Sequence, residues 1–135
     1  MSGTVKDLVQ GLAHKVMRQK GRGYSEKVYQ NALCAELNHA GVTANAEVHY
    51  PIRYAIQDDE KDQKQREVLV GHHHIDIELP DSESFVEVKA IQRLGAKEHD
   101  QASVYAREHN RKTFLVNFCQ DTKASPVKIV TFDPP

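Results

Sequence analysis

Residues 72–90 read HHHIDIELPDSESFVEVKA, and this stretch decides the architecture. Ile75, Ile77 and Leu79 alternate with His74, Asp76 and Glu78, so Val68 to Leu79 predicts a strand with an apolar face and a polar one. Pro80, Asp81 and Ser82 supply a turn. Alternation resumes from Phe85 to Ala90, where Val86, Val88 and Ala90 face one way and Glu87 and Lys89 the other. A connection this short pairs the two strands antiparallel. That pairing lets Asp76 approach Glu87 on the polar face, with Lys89 two residues further along.

Two neighbouring carboxylates repel one another unless a cation lies between them, and oxygen donors of this kind suit a hard divalent ion. A lysine beside such an ion can orient or help deprotonate a bound water. Glu87-x-Lys89 carries little weight alone. With ten Glu and eleven Lys in the chain, an E-x-K triplet arises about 0.8 times by chance, and taken alone a surface ion pair on a strand is the favoured reading. Asp76 shifts the balance, because an aspartate between apolar neighbours runs against strand propensity, and such conflicts concentrate at functional sites. The His72-His73-His74 run stands just upstream. Alternation puts His72, His74 and Asp76 on one face, a set that could ligate a transition metal. A half-buried polar strand or a phosphate contact is the more ordinary reading. His14, His39, His49, His99 and His109 show no ligand spacing with one another.

Working outward, Val5, Leu8, Val9, Leu12, Val16 and Met17 recur at helical spacing, with Thr4 to cap the start and Gly21 and Gly23 to stop it. A second helix is expected from Ser25 to Ala40, closed by Gly41, with Val28, Tyr29, Ala32, Leu33, Glu36 and Leu37 facing inward. The period then changes to two at Val48, Tyr50, Ile52, Tyr54 and Ile56. Pro51 inside this strand argues for a sheet edge or a bulge. Gln57 to Arg66 is a charged run that reads as a solvated hairpin loop. Ala96 to Asn110 is helical, and Thr113–Phe118 and Val127–Phe132 are two further strands. The order is helix, helix, three strands, helix, two strands: an α/β fold on a central mixed sheet of about five strands flanked by helices, formed by one domain spanning residues 1–135.

Composition narrows the function classes. Eighteen Lys and Arg stand against nineteen Asp and Glu, so bulk charge does not mark a nucleic-acid binder, although a local basic surface suffices for an enzyme that must release its substrate. Cys34 and Cys119 are too few for a disulfide framework or a zinc site of their own, which points to reduced thiols and an intracellular setting, cytoplasmic, nuclear or within a virion. No apolar run reaches membrane-spanning length, and the first ten residues have no secretory layout.

Asp76 followed by Glu87-x-Lys89 resembles the core of the PD-(D/E)xK nucleases. Gly23-Tyr24-Ser25-Glu26-Lys27-Val28-Tyr29 is similar to the pattern that names the GxxExxY proteins, a small branch of that superfamily, and chance produces this triple match only about 0.02 times. Gln101-Ala102-Ser103-Val104-Tyr105 resembles the Q-x-x-x-Y helix that follows the catalytic strand in RecB-like nucleases. Phe114-Leu115-Val116-Asn117-Phe118 is similar to the strand ending in Asn-Phe that closes the GxxExxY domain. The motifs stand in family order over about residues 5–132.

The resemblance implies Mg²⁺- or Mn²⁺-dependent hydrolysis of phosphodiesters in DNA. Glu26, Asp76, Glu87 and the Val88 carbonyl would ligate the metal, and Lys89 would position water and stabilise phosphate charge. Gln101 and Tyr105 would orient Lys89 or the DNA backbone. Glu26 reads on residue type alone as an acid complementing a helix dipole, Tyr29 as core, and Gly23 as a backbone-conformation residue. Arg93, Lys97, Arg107, Arg111 and Lys112, with Arg18, Lys20 and Arg22, are candidates for phosphate neutralisation. A domain this small has little surface for gripping DNA, which makes a homodimer or a larger protein partner the candidate means of extending it. The competing reading is a catalytically silent nucleic-acid-binding or assembly protein, viral or from a mobile element, that keeps the nuclease fold. A plain interaction module using the first helix is the third.

Overall fold

The computed structural model describes residues 4–57 and 65–135. Two helices lead, α1 (Val5–Lys20) and α2 (Glu26–His39), followed by strands β1 (Asn45–Gln57), β2 (Gln65–Leu79) and β3 (Ser84–Lys89), helix α3 (Ala96–His109), and strands β4 (Lys112–Phe118) and β5 (Val127–Phe132). A single 3-10 turn at Pro80–Ser82 joins β2 to β3. Each helix start has a local chemical cause. Thr4 and Asp7 cap α1 reciprocally, Ser25 accepts the Val28 N–H at the head of α2, and the Glu98 carboxylate takes the Gly95 N–H before α3.

The strands lie in the order β1-β2-β3-β4-β5. All neighbours are antiparallel except β3 and β4, which run parallel and are joined through α3. This is the mixed five-stranded α/β sheet expected from the sequence, in the expected element order. Pro51 lies in an edge strand, and the β1–β2 register shifts between Ile52 and Arg53, which answers both expectations for that proline. The charged run from Gln57 to Arg66 falls mostly on residues 58–64, outside the described residues, while its ends belong to β1 and β2.

One face of the sheet carries the main core. Val9, Ala13, Val16 and Met17 of α1 and Tyr29, Leu33 and Leu37 of α2 pack on Ile77, Leu79, Val86, Val88, Phe114, Val116 and Phe118. The other face packs more sparingly under α3, where Phe85, Ile75 and Tyr105 form a small cluster with Tyr50. In α2 the inward stripe is Tyr29, Gln30, Leu33, Cys34 and Leu37. Val28 is exposed and Glu36 reaches outward to Lys15, so the buried stripe sits slightly round the helix from the expected one.

The expectation that Ile75, Ile77 and Leu79 share a face is corrected. Ile75 belongs to the α3 side with Phe85, whereas Ile77 and Leu79 belong to the α1–α2 side. The pairings Ala46↔Ile77 and Val48↔Ile75 keep one register, so no residue has been inserted. Glu47, which falls opposite Asp76 in this register, has a backbone φ of 55° near the start of β1, a left-handed conformation at the same level of the hairpin as the change of face.

Candidate active site

The β2–β3 ladder runs Leu79↔Ser84, Glu78↔Phe85, Ile77↔Val86. One step further, Asp76 falls opposite Glu87, and there the strands part: β2 continues with β1, β3 with β4. Side chains take over the backbone bonds in this fork. The Asp76 N–H donates to Glu87 Oε1 at 3.1 Å, and the Val88 N–H donates to Asp76 Oδ2 at 2.8 Å. Each carboxylate thereby keeps one oxygen outside these two bonds. The N–H and C=O of one strand residue point the same way, so the Val88 carbonyl also looks toward Asp76.

Glu87 is only 4% exposed. Burial, then the charge of Asp76, pushes its carboxyl well above the usual range, while the Asp76 N–H and Lys89 oppose the shift. Burial raises Asp76 as well, against the Val88 N–H and Lys89, with Glu26 and Glu47 adding to the rise. Lys89 is half-buried and is the cation that acts on both acids. The fork is therefore short of positive charge. Its oxygen donors suit a hard divalent ion: one oxygen each from Asp76 and Glu87 and the Val88 carbonyl, with Glu26 contributing field from the first turn of α2. Among the described residues no three His, Cys, Asp or Glu side chains already converge on an ion position; what the fold brings together is an acid pair.

The Gly23–Tyr29 segment explains how Glu26 is held near that pair. Gly23 has φ 103°, a conformation that favours glycine, and its N–H donates to Gln120 Oε1 at 2.8 Å. Tyr29 is buried and stacks on Phe118 with ring centroids 4.6 Å apart. Its hydroxyl donates to the Gly21 carbonyl at 2.7 Å and accepts from the Tyr24 N–H at 3.4 Å. Tyr29 is thus core, as its residue type suggests, and also the clamp that fixes the loop ahead of Glu26.

On α3, Gln101 Nε2 donates to the Tyr105 hydroxyl at 3.0 Å. Their bond is to each other rather than to Lys89. Burial and the charge of Glu87 raise the Tyr105 hydroxyl pKa, and Gln101 opposes that rise. Lys97 continues the stripe one turn earlier on the exposed surface. Arg107, about 200° round the helix from Tyr105, points to solvent on the far side. Arg93 pairs with Asp121 at 3.3 Å, and Lys112 with Asp133 at 3.4 Å. Arg22 donates to the carbonyls of Cys119 and Asp121 at 2.9 and 3.2 Å, so it braces a loop.

Two positions, Glu47 and Gln120, and the role of a third, Asn117, do not follow from the sequence. Glu47 faces Asp76 across β1–β2 and pairs with Lys27; only backbone geometry reveals it. Gln120 receives the glycine of the motif. Asn117, buried and next to Lys89 in the β3–β4 register, accepts from the Ile91 N–H at 3.0 Å and donates to the Ile91 carbonyl at 3.1 Å. It fixes the chain just beyond Lys89. The grouping of Asp76 with His72 and His74 is corrected: the Asp76 carboxylate accepts from the Val88 N–H on β3, and among the described residues these three side chains form no cluster that could hold an ion. Two of the five separate histidines stand beside members of the run, His49 beside His74 and His109 beside His73.

No described helix is long and apolar enough to cross a membrane. Neither a curated protein nor a solved structure matches the chain. A family model does, over residues 3–129, a span that contains the fork, both leading helices and the α3 stripe. The chain belongs to the PD-(D/E)XK nuclease superfamily.

Proposed function

We propose that this protein is a divalent-metal-dependent nuclease of the GxxExxY branch that hydrolyses phosphodiester bonds in DNA, with residues 1–135 acting as one catalytic domain. The observation that carries the reading is the meeting of Asp76 and Glu87 in the β2–β3 fork beside Lys89. When bound, Mg²⁺ or Mn²⁺ supplies an activated water and a Lewis acid for the phosphate. Asp76, Glu87, the Val88 carbonyl and Glu26 hold the ion. Lys89 positions the attacking water and meets the charge that grows on the scissile phosphate. Tyr105, with Gln101 bonded to it, orients the nucleic-acid backbone, and Lys97 adds a phosphate contact, whereas Arg93 is engaged by Asp121 and Arg107 faces away from this side of α3. A homodimer or a larger partner extends the grip on DNA.

The test is cleavage of labelled single- and double-stranded DNA, with RNA alongside, in Mg²⁺, Mn²⁺ or EDTA. Wild type is expected to cut DNA only with metal, and Asp76→Ala and Lys89→Ala are each expected to lower the rate at least about a hundredfold. Absence of cutting by the wild type, with or without DNA binding, transfers the weight to the binding or assembly role. Preference for RNA overturns the assignment of substrate.

A further inference from the structure

β1 and β2 bring together histidines that lie far apart in the chain. His49 and His74 are register partners, with ring centroids 4.0 Å apart and planes 39° from parallel. His72 projects from the same face of β2, its ring 6.4 Å from that of His49. All three residues are exposed, and none of their ring nitrogens has a hydrogen-bond partner among the described residues. His73 points to the opposite face, where Nδ1 lies 2.8 Å from His109 Nε2 and its ring meets that of Tyr105 at 4.5 Å. Alternation therefore divides the HHH run, and the cross-strand partner supplies a third imidazole that spacing along the chain did not disclose.

We propose that His49, His72 and His74 form a binding site for a borderline divalent transition-metal ion such as Zn²⁺, on the face of the β1–β2 hairpin opposite α3. Imidazole nitrogen suits Zn²⁺, Ni²⁺ and Cu²⁺ and is a poor match for Mg²⁺. The chemistry therefore separates this site from the oxygen donors of Asp76 and Glu87. As they stand, the His49 and His74 rings are tilted against one another rather than aimed at one point, in keeping with the absence of a preformed cluster. All three side chains are exposed, and binding requires their rings to turn about χ1 and χ2 onto a common point, the His-x-His pair from one strand and the third ring from its neighbour. Water completes the tetrahedron. The bound ion would staple the two strands together close to the fork.

The experiment is calorimetric titration with Zn²⁺, and visible absorption with Co²⁺, on the full chain in excess Mg²⁺. Wild type is expected to bind one equivalent of either ion. His49→Ala, His72→Ala and His74→Ala should each weaken binding at least about tenfold, and His73→Ala and Asp76→Asn should leave it unchanged. Absence of saturable binding overturns the site, as does indifference to any one of the three alanine variants. Loss in Asp76→Asn places the ion at the acid pair and also overturns it.

Discussion

Glu87 is a carboxyl buried beside a second carboxyl, and its chemistry follows from that position. A group whose folded pKa is raised binds more protons folded than unfolded between its two pKa values, so stability falls as pH rises through that interval. The contribution is fully present below the ordinary glutamate range and is lost by the time pH passes the raised value of Glu87. Thermal melts in EDTA are expected to show a decline in Tm as pH climbs above the ordinary glutamate range, about 4. Glu87→Gln should flatten the decline and raise Tm at neutral pH; equal slopes for the two proteins would contradict the assignment. Asp76 and Glu87 were legible as residues because an acid in an apolar strand and an acid-x-lysine triplet are chemical signals. Gly23 and Tyr29 were legible for the same reason, each carrying a conformational or packing demand of its own. Asn117 and Gln120 were not: their roles lie in bonds to Ile91 and Gly23, and an amide side chain does not announce which backbone group it will reach.

Periodicity located the helices and strands but misjudged one face. Alternation presumes that every residue of a strand is extended; Glu47 breaks the presumption in β1 with φ 55°, at the level where Ile75 changes to the α3 side and Asp76 turns into the fork. Glu47→Gly tests this conformation. Left-handed φ costs a non-glycine residue about 1–2 kcal/mol, the Lys27 pair it would lose is exposed and worth little, and glycine's own strand penalty is about 0.5–1 kcal/mol. The expected outcome in chemical denaturation is unchanged stability or a gain of up to about 1 kcal/mol. A loss of 2 kcal/mol or more, roughly the size of a buried defect, would show that Glu47 contributes something other than strain. Ordinary alternation divides the histidines: His72 and His74 face one way with His49, His73 the other way with His109. Cross-strand register, which no single strand encodes, decides those partnerships.

At the scale of the molecule, α1 and α2 cover one face of the sheet with the larger core, and α3 covers the other with a smaller one. The acid pair sits where the antiparallel β1–β2 hairpin separates from the β3–β4–β5 half. The element order made this topology readable, because a helix between two strands of a mixed sheet allows the parallel β3–β4 pairing seen here, and short turns account for the antiparallel pairs on either side. The fork itself was not readable, since it depends on where the β2–β3 ladder stops. It is the place where backbone pairing fails, side-chain carboxylates replace it, and positive charge is wanting. The most direct test of that account is the initial rate of DNA cleavage as a function of Mg²⁺ concentration for wild type and Glu87→Gln. Saturable Mg²⁺ activation is expected in the wild type, and in the variant a rate at least about a hundredfold lower that no Mg²⁺ concentration restores. A Glu87→Gln protein that cuts at the wild-type rate with the same Mg²⁺ dependence would contradict it.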